Sequence, residues 1–483
     1  MRRIAAAILV LACAFGLRAA PLAEADWAGK RLGLAPERYA EGRTGRRTVD
    51  WYRHTGDPAW GDPQTNAVDR FSVVKPVAGD RTGAPLLVVL HWRGAGWPGK
   101  GVDLQTSRSD EKGMNFSAPD DFYILNLDDI RNYHVLWNRT HDQYWWGATA
   151  SYAGPTVADV PRLMKGETPC ERRVMDTVEW TIRRYGIDRN RVYLCGNSMG
   201  GQAAYAIGLA HGEVFASVNA NVPATVWFAA ARLGFVRGDG RDVVHWSTDR
   251  FAEPPVCVEW SGSNDMWSRD REVIIRNLAK RKWPHLVLWG DYGHCGSVAE
   301  ARRHNGLVER FDWLAVRRDA AYPVFTNASC DDRLPWPFKT WSPTCGWFSG
   351  WKGDVKSARM EIADGARPNG QVNAYFRWRN VKDGADGLSL ELRLATAEEL
   401  GAEGTATPGR ATADVTVRRI QDASLSRAER VAWTFGERSG IVRRDEKGAL
   451  TLENLEISCD PKVLHLKIVS GTKNTPLSSG PDF

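Results

Sequence analysis

Short apolar runs alternate with amphipathic stretches along the chain from about residue 69. The apolar runs are four to six residues long and lie at 86–90, 122–127, 192–195, 215–218, 256–260 and 286–289. Uninterrupted apolar runs of this length are typical of strands in a parallel sheet, because such strands are buried on both faces. The pattern therefore predicts six buried strands.

Helix-like segments lie between these runs. The clearest spans 171–185, where Val174, Val178, Ile182 and Tyr185 form one apolar face and Gly186 follows as a stop signal. A second helix-like segment spans 268–280. Regular alternation of strand and helix predicts an α/β fold, with a doubly wound and mostly parallel sheet covered on both faces.

The composition and pattern of the sequence change after about residue 320, first to a Pro- and Trp-rich stretch and then to short strand-like runs between turn residues. These runs lie at 375–378, 388–394, 413–417, 431–435 and 463–469. Their length and their β-branched and aromatic content predict a small C-terminal all-β, sandwich-like domain. With 483 residues, two cores are expected. We predict a main domain at 26–335, with about 50 mature residues before its first strand, and a β-rich accessory domain at 340–483.

The N-terminus has the pattern of a secretory leader. Met1, Arg2 and Arg3 precede an apolar run at 4–16, and small residues follow at 19–25. This order is typical of a bacterial signal peptide, which we place at 1–25. No stretch approaches the roughly 20 apolar residues of a membrane-spanning helix. We expect a secreted or periplasmic protein. The alternative is a lipid-anchored form through Cys13, since 10–13 loosely resembles a lipobox.

Charge and cysteine usage exclude several classes of function. The formal net charge is +6, but the 64 Lys and Arg are scattered among 58 Asp and Glu, so we expect no nucleic-acid partner. The cysteines lack CxxC spacing, and no HExxH or EF-hand pattern occurs, so we expect no metal. Cys330 and Cys345 could close a local loop, whereas Cys195 and Cys257 are predicted to be buried thiols.

The sequence Gly196-Asn197-Ser198-Met199-Gly200 fits the GxSxG pattern of a nucleophile elbow. Context strengthens the match, because the motif follows a predicted buried strand and precedes a small-residue segment at 202–209 that suits a helix packed closely on a sheet. Small residues on both sides of Ser198 allow the sharp turn that exposes its hydroxyl. The pattern predicts that Ser198 is a nucleophile.

A serine nucleophile needs a base and an acid, and in this kind of sheet they follow at the ends of later strands, in the order nucleophile, acid, histidine. The run 256–260 leads to Asp265, and the run 286–289 leads to His294 within a glycine-rich loop. We therefore predict Asp265 and His294 as the partners of Ser198. The alternative acids are Asp270 and Asp291, and the alternative bases are His285 and His304.

Catalysis also needs N–H donors for the developing oxyanion. The backbone N–H of Met199, directly after Ser198, is one candidate. The loop after the run 86–90 should supply the second, with Arg93 as our choice and Gly94 as the alternative. Trp92 stands where a His-Gly type of oxyanion loop has glycine.

These residues resemble the secreted esterase branch of the α/β-hydrolases, which contains feruloyl esterases, acetylxylan esterases and polyhydroxybutyrate depolymerases. The resemblance covers roughly residues 70–310 and rests on 91–94, 196–201, Asp265 and 293–296. It implies ester hydrolysis through an acyl-enzyme on Ser198, without a cofactor. A prolyl oligopeptidase type of serine peptidase shares the elbow and is one alternative. A non-catalytic glycan-binding protein is another.

The expected substrate is a small-molecule or polysaccharide ester. The chain has 22 Trp, and aromatic faces stack well on sugar rings, so we expect Trp92, Trp145 and Trp146 to contact substrate. Packing in cores and between domains is the alternative role for each Trp. The sequence makes no prediction about oligomeric state.

Overall fold

The structure is a computed structural model, and it describes the residues in the following ranges: 36–55, 68–92, 118–131, 141–142, 145, 167–223, 233, 253–263, 265, 271–294, 310–336, 363–400 and 407–469. The predicted leader at 1–25 and most of the Trp-rich stretch after Trp336 lie outside these ranges. Among the described residues, no helix is both long and apolar enough to cross a membrane.

The first two thirds of the chain alternate strands and helices. In chain order, its elements are β1 Glu37–Thr44, β2 Arg47–Thr55, β3 Val68–Val74, β4 Leu86–Leu90, β5 Tyr123–Leu127, β6 Ile130–Arg131, β7 His141–Asp142, α1 Pro169–Tyr185, β8 Val192–Asn197, α2 Met199–Ala203, a π-helical turn Ala204–Gly208, β9 Ser217–Asn221, β10 Val256–Gly262, α3 Arg271–Lys280, β11 His285–Gly290, a 3-10 turn Trp313–Ala315 and β12 Tyr322–Thr326.

The largest sheet contains ten strands within the described residues. Their order is β1-β2-β3-β5-β4-β8-β9-β10-β11, and the tenth strand is β13, Gly370–Val372. The six central strands, from β5 to β11, pair in parallel. These six strands correspond to the six apolar runs, so the prediction of a mostly parallel α/β sheet is confirmed.

The expectation of about 50 mature residues before the first strand is wrong. β1, β2 and β3 precede the parallel strands and extend the sheet by antiparallel pairing, with β3 next to β5. β1 has no fully buried residue and lies at the edge of the sheet. Its charged sequence therefore lacks the apolar pattern from which strands were predicted.

Both faces of the sheet are covered. On one face, apolar residues of α1, α2 and α3 join the strand residues in a core that includes Val174, Tyr205 and Ile274. On the other face, the core includes Trp313 and Tyr322, from the segment that follows β11. α1 ends at Gly186, which has a φ of 62°, as the stop signal predicted.

The last third of the chain is β-rich. Its elements are β13 Gly370–Val372, β14 Phe376–Gly384, β15 Gly387–Leu394, β16 Arg410–Arg418, α4 Ala423–Arg427, β17 Arg430–Phe435, β18 Arg438–Arg443, β19 Leu450–Ser458 and β20 Lys462–Ile468. In the described ranges, one antiparallel sheet has the order β14-β15-β20-β17-β18, and a second has the order β12-β16-β19. Apolar residues of both sheets share one core, including Leu390, Val415 and Leu464.

Two strands cross the boundary that was predicted near residue 340. β12 precedes that point but pairs with β16 of the C-terminal part, whereas β13 follows it but pairs with β11 of the main sheet. Asn373 links the two parts, because its side-chain amide donates hydrogen bonds to the carbonyls of His285 and Phe325, each at 3.0 Å. Between β11 and β14, the chain thus passes three times between the two parts.

The cysteine predictions have separate outcomes. Cys195 and Cys257 are free and fully buried, as predicted, and burial raises the pKa of both thiols. Cys330 is also free. Its suggested partner Cys345 lies outside the described residues.

Candidate active site

Ser198 lies at a sharp turn between β8 and α2. Its backbone has φ 54° and ψ −115°, a conformation that side-chain-bearing residues rarely adopt and that costs of the order of 1–3 kcal/mol. Two backbone hydrogen bonds hold the turn: the Ser198 N–H donates to the carbonyl of Asn221 at 2.9 Å, and its carbonyl accepts from the Gln202 N–H at 3.0 Å. The turn has the geometry of the predicted nucleophile elbow.

Two glycines make this turn possible. A Cβ on Gly196 would lie 2.2 Å from the carbonyl oxygen of Gly200, and a Cβ on Gly200 would lie 2.0 Å from that of Leu90. No side chain fits at such distances. Both glycines of the motif are therefore required by close backbone packing around Ser198.

The three predicted chemical groups lie in one hydrogen-bonded chain. The Ser198 Oγ is 2.6 Å from Nε2 of His294, and Nδ1 of His294 is 2.8 Å from Oδ2 of Asp265. Asp265 is fully buried. A serine that donates to an imidazole whose other nitrogen donates to a carboxylate is the arrangement that activates a hydroxyl as a nucleophile.

Parallel pairing of β10 with β11 brings the acid and the base together. Both strands end at a glycine, and Gly262 and Gly290 are paired in register. A Cβ on Gly262 would lie 2.2 Å from the carbonyl oxygen of Tyr292, so the loop that carries His294 packs directly on the end of β10. Beyond β10, the Ser263 N–H donates to the Gly290 carbonyl at 2.8 Å.

The alternative acids and bases do not share this geometry where they are described. The side chain of Asp291 is exposed. His285 is buried at the start of β11, burial lowers its pKa, and its Nδ1 lies 2.9 Å from the carbonyl oxygen of Trp283. Asp270 and His304 lie outside the described residues.

The predicted oxyanion donors are only partly described. Met199 is buried and is the first residue of α2, directly after Ser198, so its N–H belongs to the peptide that follows the nucleophile. Trp92, expected to contact substrate, is half-buried at the end of the described loop after β4. Arg93 and Gly94 lie outside the described residues, so their proposed role stays a prediction.

His91 fixes the start of this loop. Its Nε2 accepts the Asp129 N–H at 2.9 Å, so the proton resides on Nδ1, which donates to the Trp92 carbonyl at 2.7 Å. The ring is completely buried. His91 was part of the predicted oxyanion-loop motif. Its hydrogen bond to Asp129 could not be predicted from the sequence, because it joins two loops that are far apart in the chain.

Trp145 has a packing role in the structure. Its indole is completely buried against the His91 ring, with ring centroids 5.0 Å apart, and Nε1 donates to the His91 carbonyl at 3.1 Å. Its backbone N–H donates to the Asp129 carboxylate at 2.8 Å. The expected contact of Trp145 with substrate stays a prediction, as does that of Trp146, which lies outside the described residues.

A buried arginine supports this cluster from α1. Arg173 donates to the carboxylates of Asp69 and Asp129, each at 3.1 Å, and to the carbonyl of Asp128 at 2.6 Å. Burial alone would lower the pKa of Arg173, but these carboxylates and Cys170 raise it above its ordinary value. Arg173 therefore keeps its charge and anchors the loop after β5.

A second buried ion pair joins α3 to β10, the strand that leads to Asp265. Arg271, at the start of α3, is 2.9 Å from the carboxylate of Glu259 on β10, and both side chains are fully buried. Arg271 also donates to the Pro223 carbonyl at 3.0 Å, and its charge interacts with that of Asp265. The pair ties the start of α3 to the strand that leads to Asp265.

The described ranges contain no group of three His, Cys, Asp or Glu side chains arranged to hold a metal ion. The expectation that the protein uses no metal or cofactor stays a prediction.

Comparison with known proteins gives one short sequence match. A family model described as the prolyl oligopeptidase family matches residues 166–232. This segment contains α1, β8, the elbow and β9. The fold is that of an α/β-hydrolase. No curated protein matches the chain.

Several solved structures are similar to this α/β-hydrolase fold at low identity. The S-formylglutathione hydrolase from Agrobacterium tumefaciens is 15% identical, with a TM-score of 0.38, over 58% of this chain and 98% of that one. The S-formylglutathione hydrolase from Staphylococcus aureus is 12% identical, with a TM-score of 0.35, over 56% and 98%. A ferulic acid esterase from Anaeromyces mucronatus is 17% identical, with a TM-score of 0.35, over 60% and 96%.

Proposed function

We propose that this chain is an exported serine hydrolase that cleaves carboxylic esters through an acyl-enzyme on Ser198. The observation that carries the proposal is the chain of contacts from Ser198 through His294 to Asp265, with distances of 2.6 and 2.8 Å, at a strained elbow. Export is proposed from the N-terminal leader pattern, and the protein is then secreted or periplasmic. The two sheets β12-β16-β19 and β14-β15-β20-β17-β18 are proposed to form a β-sandwich accessory domain, in place of a domain bounded at 340–483.

In the proposed reaction, the Ser198 hydroxyl attacks the ester carbonyl while Nε2 of His294 takes its proton. The resulting imidazolium is stabilised by Asp265, to which its Nδ1–H donates. His294 then gives the proton to the leaving alcohol, which departs and leaves an ester on Ser198. A water molecule that loses its proton to His294 hydrolyses this acyl-enzyme and restores the serine.

The tetrahedral intermediates carry a negative oxygen that needs N–H donors. The backbone N–H of Met199 is proposed as one donor, and that of Arg93, or alternatively Gly94, as the other. His91 supports this assignment, because its bond to the Trp92 carbonyl holds the residue that precedes Arg93. Each such donor contributes about 3 kcal/mol to the stability of the transition state in hydrolases of this kind.

The proposed substrate is a carboxylic ester on a polysaccharide or on a small molecule. An ester carried on a polysaccharide is favoured by export and by the abundance of Trp, with Trp92 as a half-buried aromatic residue beside the oxyanion loop. A small-molecule ester is the other possibility.

A serine peptidase is the second candidate, and the match to the prolyl oligopeptidase family at 166–232 favours it. Ester and amide bonds are cleaved by the same three groups, so the difference lies in the substrate pocket. Activity assays must therefore separate the two candidates.

The test compares wild type with Ser198→Ala on short-chain p-nitrophenyl esters, acetylated xylan, methyl ferulate and a chromogenic Xaa-Pro amide. We expect wild type to cleave esters, and Ser198→Ala to lose about 10⁴-fold or more in kcat/KM. Cleavage of the amide alone would replace the esterase proposal by the peptidase. Absence of any cleavage, together with no labelling of Ser198 by a fluorophosphonate probe, would overturn both candidates and favour a glycan-binding protein.

A further inference from the structure

A cavity lies at the end of the parallel strands opposite to Ser198. It has a volume of about 750 Å³, within the range of small-molecule sites. Tyr123, which begins β5, and Tyr185, which ends α1 ahead of β8, contribute to its wall. Ser198 follows the end of β8, at the other edge of the parallel strands. The cavity is therefore separate from the proposed catalytic site.

The floor of this cavity is a rigid polar cluster centred on Asp50, which is 2% exposed. The carboxylate accepts hydrogen bonds from the Tyr185 hydroxyl at 2.9 Å and from Arg38 at 3.0 Å, and it lies 3.2 Å from Lys75 Nζ. Tyr52 and Tyr185 share a further hydrogen bond of 2.8 Å between their hydroxyls. Two cations therefore compensate the buried carboxylate, and the floor needs no ligand for its own charge balance.

The rim carries positive charge that is not compensated in this way. Five cationic side chains line the cavity against two carboxylates. Arg81 and Arg184 are exposed, and neither guanidinium has a carboxylate partner in the part of the chain that the structure describes. Arg184 lies over the Tyr185 ring, with 5.6 Å between its Cζ and the ring centroid. The backbone N–H of Arg81 donates to the Tyr123 hydroxyl at 2.8 Å, which fixes its position.

Groups that suit hydroxyls lie beside these two arginines. Asp80 lines the same cavity, and 64% of its side chain is exposed although it contacts Lys75 at 3.1 Å. Thr82 is also exposed in the lining. A carboxylate accepts hydrogen bonds from hydroxyls, whereas guanidinium groups bind oxyanions, often in a bidentate manner.

We propose that this cavity binds an acidic sugar, with its carboxylate or phosphate group on Arg81 and Arg184 and its hydroxyls on Asp80 and Thr82. The combination of unpaired guanidinium groups and exposed oxygen atoms distinguishes an acidic sugar from a neutral one. The site binds its ligand without cleaving it, since the triad lies at the other edge of the sheet. The proposal is independent of the proposed esterase function.

The experiment measures binding by isothermal titration calorimetry at low salt, in a Ser198→Ala background so that no ester is turned over. The probes are digalacturonate, its dimethyl ester and glucose 6-phosphate. We expect one or both acidic probes to bind, and the uncharged dimethyl ester to bind at least about tenfold more weakly. Which acidic probe binds distinguishes a uronate from a sugar phosphate.

The variant Arg81→Gln with Arg184→Gln should weaken binding of the acidic probe by roughly tenfold. Arg443→Gln is the matched control, because Arg443 is an exposed arginine on β18, outside the cavity, and its loss should leave binding unchanged. Binding should also weaken as salt is raised to 0.5 M, since exposed charges are screened.

Three results would overturn the proposal: no binding of either acidic probe, equal binding of the acidic probe by the double variant, or affinity for the dimethyl ester equal to that for the acidic probe that binds. None of these depends on whether Ser198 is a catalytic nucleophile. Thermal unfolding of the double variant serves as the check on folding, because both arginines are exposed and their replacement should shift the Tm little.

Discussion

Close packing of the neighbouring residues holds the backbone of Ser198 in an unfavourable conformation. Gly196 and Gly200 approach each other and Leu90 at distances that exclude any Cβ, and the Asn221 carbonyl holds the Ser198 N–H. The strain is offset by the packing of the whole strand-turn-helix unit. The hydroxyl therefore keeps one position relative to His294 before any substrate is bound.

The first prediction concerns the acid. Asp265→Asn should lower kcat for a p-nitrophenyl ester by about 10³- to 10⁴-fold with little change in KM, because Asn neither stabilises the imidazolium nor selects the same histidine tautomer. Steady-state kinetics on the purified variant measure both constants.

Asp291→Asn is the matched control for this change. Asp291 lies three residues before His294 but its side chain is exposed, so kcat should remain within about twofold of wild type. A large loss of kcat in Asp291→Asn, with an active Asp265→Asn, would reverse the assignment of the acid.

At the scale of single residues, sequence predicts a role best where the role depends on the position along an element. Ser198, Asp265 and His294 each follow the end of a parallel strand, and such ends meet at one edge of a sheet. The packing role of Trp145 could not be predicted in this way, because the same indole suits a sugar-binding surface or a buried contact. The complete burial of the indole and its hydrogen bond to the His91 carbonyl show the packing contact.

The helix α1 is held at both ends and along its first turns by specific contacts. Thr168 and Glu171 form a capping box at its start, Gly186 ends it, and Arg173 ties its first turns to the loop after β5. His211, which lies beyond the π-helical turn, contacts its N-terminus through Glu171 at 2.9 Å. The helix thus connects the elbow segment to the loop that carries Asp129.

The second prediction is a pH dependence of stability at this helix. Burial alone would lower the pKa of His211, but hydrogen bonds to Glu171 and Glu213 outweigh it and raise the pKa to about 9. A raised pKa in the folded state means that the stabilisation is complete below pH 6.5, the ordinary pKa of histidine, and is lost as pH rises through about 9. Wild type should lose up to about 3 kcal/mol of unfolding free energy from this group between these pH values.

Urea unfolding at pH 6, 7.5 and 9.5 measures this loss. His211→Gln should be less stable than wild type at pH 6 and should lose less stability toward pH 9.5. His465→Gln, at an exposed position on β20, should keep the wild-type pH dependence. Parallel pH profiles for His211→Gln and wild type would contradict the assignment.

Among the elements, the sequence predicts those helices and strands in which burial produces a periodic or a continuous pattern of apolar residues. The six central strands and α1 have such patterns and were found within a few residues of their bounds. β1 and β18 were not predicted, because both lie at sheet edges and β18 has no fully buried residue. An edge strand can be polar on most of its surface, so hydrophobic pattern gives it little signal.

In the whole molecule, the two parts are joined at a polar seam next to β13. Asn373 donates to the carbonyls of His285 and Phe325, and its own N–H donates to the carboxylate of Asp331 at 2.8 Å. On the adjacent Gly370, a Cβ would lie 2.3 Å from the Trp289 ring. The junction between the two parts therefore depends on the hydrogen bonds of Asn373 and on the close packing of Gly370 against Trp289.

The third prediction concerns the charge of Asp331 in this seam. Burial raises its pKa to about 7, from an ordinary value of 3.8. The folded protein then holds this proton more tightly than the unfolded chain, so the associated stability is present below pH 3.8 and is lost as pH rises through about 7. Asp331→Asn, which cannot ionise and can still accept the Asn373 N–H, should raise the Tm above pH 7.

Differential scanning calorimetry at pH 5 and pH 8 tests this prediction. The gain in Tm from Asp331→Asn should be larger at pH 8 than at pH 5. Asp460→Asn, at an exposed position, is the control and should change the Tm little at either pH. A uniform drop in Tm for Asp331→Asn would show instead that the carboxylate is needed for the contact with Asn373.

The β-rich character of the chain after residue 320 could be predicted from the sequence, but the crossing of β12 and β13 could not. The strand Tyr322–Thr326 is buried at its first four positions, so its pattern suits either sheet, and β13 has only three residues. Their partners are chosen by contacts such as those of Asn373, between segments far apart in the chain.

The crossed pairing of β12 and β13 also affects how the protein folds while it is being synthesised. β12 leaves the ribosome well before its partner β16, and the outer edge of β11 stays open until β13 follows. Unpaired strands and open edges promote aggregation while a chain is incomplete. The main sheet is complete only when β13 has been made, and the sheet that contains β12 is complete only after β19. A nascent chain that stalls near residue 340 would therefore present the unpaired β12 and the open edge of β11 at once.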